Sequence, residues 1–170
     1  ATADCYAENV RWNQAVMSKR LQAAVALYPK RIEVNKIDGT FADGNLSGDA
    51  KVYLGRIPSG SFRFHAERVN LRRASAPIPS LARAIAGAAS VSVVGRIGST
   101  STATAKVHAS NITVGDLAIR EIRLPVSCSM QTQSSQVQWQ SRGGSLTVGG
   151  GSVAISSEGR LSNGQATMST

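Results

Sequence analysis

Aromatic residues are scarce in this chain, 5% of the total, and charged residues supply only 17%. So little ring volume argues against a core built around large side chains, and so little charge argues against a disordered polyelectrolyte. Cysteine and histidine number two each. Cys5 and Cys128 show no CxxC spacing and have no histidine ligand nearby, so no metal site and no cofactor are expected. Two readings stay open for them: a long-range disulfide in an oxidising compartment, or two free thiols on inward faces. No apolar run reaches the roughly 18 uninterrupted residues of a membrane-spanning helix. The longest, ASAPIPSLARAIAGAASVSVV, is broken by prolines and Arg83. The opening ATADCYAENVRWN lacks a basic segment followed by an apolar core, so it does not read as a signal peptide, and the chain reads as a mature form or a fragment.

Catalytic patterns are missing as well. There is no GxSxG elbow, no HExxH or EF-hand spacing and no Walker lysine beside the glycines of RGGSLTVGGGS. His65 and His108 each hold a polar position in an alternating segment, which suits exposed strand residues better than a base or ligand. The chain is therefore expected not to be an enzyme. Nineteen Lys and Arg against ten Asp and Glu give a formal +9, a surplus that suits phosphates of nucleic acid or of lipid headgroups. The basic residues are dispersed, ERVNLRR apart, and no zinc-finger or aromatic RNA-binding motif accompanies them, which speaks against nucleic acid.

What is abundant is alternation of period two. With 170 residues, 42% of them hydrophobic, the chain is sized for a single β-rich domain spanning 1–170. Alternating segments occur at 31–34, 50–54, 61–71, 90–97, 102–109 and 117–131, with further strands expected at 136–140, 145–148, 152–156 and 165–169. In the third, Phe62, Phe64 and Ala66 face one side and Arg63, His65 and Glu67 the other, with a register change before Val69 and Leu71. In the longest, Ile122, Leu124, Val126, Cys128 and Met130 share one face, and Pro125 on the other is expected at an edge or a strand break. Strands are favoured over 5–12 and 21–29, where a helix competes in the second. One short helix is expected near 79–87, capped by Ser80 and ended by Gly87. GTFADGNLSGDAKVYL reads as a hairpin with its turn at Asp43, Gly44 and Asn45. Short turns and strand centres 8 to 12 residues apart imply an all-β, mainly antiparallel meander, too large to stay flat: a curved sheet with an apolar groove, a sandwich or a barrel.

The segment GNLSGDAKV, with Gly44, Leu46, Gly48, Ala50 and Val52, followed by a strand ending in Val69 and Leu71, resembles the C-terminal β repeat of AsmA-like and TamB-like bacterial envelope proteins. The later stretch with LPV and its glycine-rich return is similar to the N protein of type II secretion systems. The first resemblance implies a bent sheet in the periplasm, belonging to a larger parent protein anchored in the inner membrane. It implies lipid held in an apolar groove, with a part in phospholipid transport and outer-membrane integrity and no catalytic residues. The second implies a structural component of a secretion machine; an adhesion or assembly module is a further alternative. Partners are then phospholipid or envelope and secretion proteins. Lipid-facing or core candidates are Phe62, Phe64, Ile122, Leu124, Val126 and Met130; headgroup candidates are Arg63, Arg68, Arg72 and Arg73, for which a solvated face is the competing reading. Whether the apolar row lines a groove or packs against a second layer stays open.

Overall fold

The structure is a computed structural model that describes residues 1–12, 15–131, 136–162 and 165–169. The chain runs as β1 (Thr2–Trp12), β2 (Ala15–Tyr28), β3 (Arg31–Phe41), β4 (Gly44–Tyr53), β5 (Ser59–Asn70), α1 (Leu71–Ala74), α2 (Pro79–Ala84), β6 (Ile85–Ile97), β7 (Thr100–Val114), β8 (Leu117–Gln131), β9 (Gln136–Val148), β10 (Gly151–Ser162) and β11 (Gln165–Ser169). All eleven strands form one antiparallel sheet in sequence order. The order follows from the short connections, because a two-residue turn can only join neighbours. The sheet is open, β1 pairing with β2 alone.

Several local expectations change. The expected helix near 79–87 is the shorter α2, and a further helix, α1, lies outside the expectation: it begins at Leu71, which the sequence places at the end of the 61–71 strand. Asn70 caps α1, its side chain accepting from the Arg73 amide at 3.2 Å. The second helix, α2, starts at Pro79 without a side-chain cap, so Ser80 is not the cap. It ends at Ala84 because Ile85 pairs with Val114; Gly87 lies inside β6 with φ +127°. The β3–β4 turn sits one residue earlier than the sequence suggests. Ala42 and Asp43 take φ of 47° and 65°, the left-handed pair of a tight hairpin, and Phe41 pairs with Gly44. Gly44 belongs to β4, where a Cβ would run into the β5 backbone. The segments 136–140 and 145–148 are one strand, β9, bulged at Gly143 (φ +75°). Pro125 lies well inside the sheet, yet at a break: the β8–β9 register slips between Arg123 and Ser127, where a missing N–H costs no regular ladder bond.

The register change expected in β5 is present. Arg68 takes φ +54°, the pairing with β6 shifts between Ala66 and Val69, and Val69 returns to the apolar side, 3% exposed. Side chains of directly paired residues share a face. One cross-strand row therefore reads Ala3, Val25, Val34, Ala50, Phe62, Gly95, Ala103, Cys128, Trp139, Gly159 from β1 to β10. The next row on the same face reads Cys5, Ala23, Ile37, Gly48, Phe64, Val93, Ala105, Val126. Between them on the opposite face run Asp49, Arg63, Val94, Thr104, Ser127, Gln140 and Glu158.

Candidate functional site

The apolar face has almost nothing over it. Elements touch chiefly their sequence neighbours along the sheet, and among the described residues the only additional layer is the pair α1 and α2. Leu71 of α1 packs on a cluster of Ala89, Ala109, Ile112 and Ile119, and Ala74 on Ala42, Ala66 and Val69. That end of the face is a true core. Away from it, Val34, Phe62, Phe64, Val93, Ala105, Leu124, Val126 and Trp139 are only partly buried. The molecule exposes 11183 Å², whereas a compact monomer of 17.8 kDa exposes roughly 8000 Å². The excess belongs to a single layer with neither side sealed.

Aromatic rings pave this face by lying over glycine. Phe64 covers Gly48 on β4, Phe62 covers Gly95 on β6, and Trp139 covers Gly159 on β10; a Cβ at any of the three would overlap the ring. The two phenyl rings lie 5.6 Å apart, tilted by 40°. Ring over glycine lowers the relief of the sheet, so a few aromatics cover a wide area. The depressions in the sheet are not apolar-face features alone: one of about 660 Å³ is lined largely by polar-face residues such as Thr104, Ser127, Gln140 and Glu158 beside Cys128 and Trp139, and one of about 360 Å³ by Lys106, His108, Arg123 and Pro125 with Val107 and Leu124.

The expected lipid-facing residues fall on this one face: Phe62, Phe64, Leu124 and Val126 in its open part, Ile122 beside the helix-covered cluster, and Met130 near the opposite end, 40% exposed. Sequence reasoning missed Trp139, Val91, Val93 and Val107; the alternation in QVQWQ and SVSVV carries the signal. The four arginines are not brought together. Arg63 is on the polar face, 3.1 Å from Asp49, while Arg73 holds Asp43 at 2.6 Å beside Lys19. Arg68 forms the bulge and Arg72 lies on α1. Cys5 and Cys128 are free thiols with six strands between them, so the disulfide alternative fails. A bridge needs Cα atoms within roughly 7 Å.

The polar face carries ion pairs and hydrogen bonds both across and along the strands. Lys51 reaches Glu33 at 2.7 Å and Arg31 reaches it at 3.0 Å; His108 and Arg123 both meet Glu121 at 2.8 Å. His65 bridges Ser92 and Glu67. The hydrogen bond from Lys51, then the charge of Arg31, holds Glu33 below its ordinary 4.5, and those from His108 and Arg123 do the same for Glu121. Among the described residues no three potential metal ligands gather, and no helix is long and apolar enough to cross a membrane. Comparison with protein-family models, with curated proteins and with solved structures finds no match to this chain.

Proposed function

We propose that this chain is a non-enzymatic lipid-binding domain of the bacterial envelope, of the AsmA-like kind, that holds acyl chains against its apolar sheet face. It would work in the periplasm as part of an inner-membrane-anchored parent, in phospholipid transport or in bridging the membranes. One observation carries the reading: ten strands contribute to a continuous apolar row that, away from α1 and α2, no second layer covers among the described residues. Such a face costs free energy in water, and each methylene placed on it contributes roughly 0.8 kcal/mol. A hydrocarbon chain fits a long, shallow, unpolarised strip better than any polar substrate does.

A second reading, a structural part of a type II secretion machine or another assembly module, draws on the unpaired edge of β1, which offers backbone groups for strand addition. Organic extraction and native mass spectrometry of protein purified from a bacterial host separate the two. Phospholipid at a stoichiometric level is expected, reduced at least tenfold in a folded Val126→Asp variant. Lipid-free protein whose apolar face is sealed in a dimer would remove the lipid reading.

A further inference from the structure

The end of the sheet away from the helices carries a second feature. There the β2–β3 turn and the β4–β5 loop adjoin, the Leu54 amide donating to the Lys30 carbonyl at 2.8 Å. Leu27, Tyr28, Tyr53, Leu54 and Ile57 are each between 45% and 56% exposed. They are neighbours by register, since Arg31 pairs with both Tyr28 and Tyr53, and Ile32 with Leu27. Five large side chains left in water at one tip are more than isolated surface hydrophobes.

The charges around them have one sign. Lys30 and Arg56 are exposed at the tip itself. One step inward, the Arg31 guanidinium stacks 4.3 Å from the centre of Tyr28, and the Lys51 ammonium lies 5.6 Å from that of Tyr53. Across 27–33 and 51–60 the one carboxylate is Glu33, and it is already engaged by Lys51 and Arg31. Lys30, Leu54, Arg56 and Ile57 therefore stand at the tip itself, Tyr28, Tyr53 and Arg31 form the first pairs behind it, and Leu27 lies one pair further in. Exposed aliphatic side chains, tyrosines and cations on long apolar stems gathered at one tip are the set of groups that suits a bilayer surface, where long basic side chains can reach phosphate while apolar ones enter the headgroup boundary.

We propose that this tip docks the domain on an anionic phospholipid bilayer, Leu54 and Ile57 entering the headgroup boundary and Lys30 and Arg56 contacting lipid phosphates. The proposal is independent of whether the apolar face carries lipid. It assigns the headgroup contacts to a different end from Arg72 and Arg73.

Flotation of the full chain with phosphatidylcholine vesicles, with and without phosphatidylglycerol, tests it. Binding is expected to the anionic vesicles and to weaken with salt. The pair Leu54→Ser with Ile57→Ser and the pair Lys30→Glu with Arg56→Glu are each expected to weaken it about tenfold or more. Arg72→Glu with Arg83→Glu, at the opposite end, changes the net charge equally and is expected to leave binding in place. Equal loss from both charge-reversal pairs would reduce the effect to overall charge and overturn the proposal. So would absence of vesicle binding, or tip variants that alter oligomeric state instead. Val126→Asp, which targets the apolar face, is expected to leave flotation unchanged, so failure of the lipid-carrying reading is distinguishable from failure of this one.

Discussion

Glu121 accepts from His108 at 2.8 Å and from Arg123 at 2.9 Å, and the carboxyl is held below its ordinary 4.5 by those two bonds. A group whose pKa is lower in the folded state binds its proton more weakly there than in the unfolded chain. Its contribution to stability is then complete above the unfolded value and disappears as pH falls through the folded one. Glu33 follows the same sign; Lys51, raised chiefly by its bond to Glu33, has the opposite one and loses its contribution as pH rises through its folded pKa. In thermal melts, Glu121→Gln is expected to lower Tm slightly at neutral pH. The gap to the parent protein should close as pH is taken below 4.5, the window in which the carboxylate protonates. The effect is small because the pair is exposed and screened. A gap that persists unchanged well below that pH would show that the side chain acts by packing.

The helical segment is the element on which the small core depends. Leu71 alone brings α1 down on Ala89, Ala109, Ile112 and Ile119, and Asn70 fixes the start of its single turn. Leu71→Ala is expected to cost about 2 kcal/mol or more, since the alanine-rich floor has little to collapse into the space. Asn70→Ala is expected to cost about 1 kcal/mol. Urea unfolding measures both, and a neutral Leu71→Ala would mean that α1 is only resting on the sheet. Element type was largely legible beforehand, and the reasons are local. Alternation from Phe62 to Ala66, followed by the break before Val69, gives the bulge at Arg68, and the bounds of β8 coincide with the apolar row from Leu117 to Gln131. Gly143 and Gly144 misled because a bulge and a turn use the same residue; only pairing on both flanks distinguishes them. The helix came out long because Ile85 to Gly87 suit a helix end locally, while β7 claims them as partners. The uncovered face was not legible, because alternation looks the same under a second layer as under water.

Among the described residues, the great majority of contacts run from each strand to the next. Such a chain resembles a linear array, in which each part is stabilised by its immediate neighbours and cooperativity weakens with distance. Of the nine buried hydrophobic residues among those described, six lie in β5 to β8: Ala66, Val69, Ala89, Ala109, Ile112 and Ile119. These are the strands beneath or beside the helices, and they carry the greatest local burial. Hydrogen exchange of the isolated chain is therefore expected to be graded, slowest in β6 and β7, faster through β3 and β9, and fastest at the edge strands β1 and β11. Leu71→Ala should accelerate exchange in β6 to β8 while leaving β1 and β2 nearly unchanged, because Leu71 packs on the Ala89, Ala109, Ile112 and Ile119 cluster of β6 to β8. Addition of a phospholipid that occupies the apolar face should flatten the gradient, since one acyl chain lying across several strands ties together elements that otherwise meet only in pairs. Uniform protection from β1 to β10 in lipid-free protein would contradict this, as it requires a second layer or a partner copy binding the sheet into one cooperative unit.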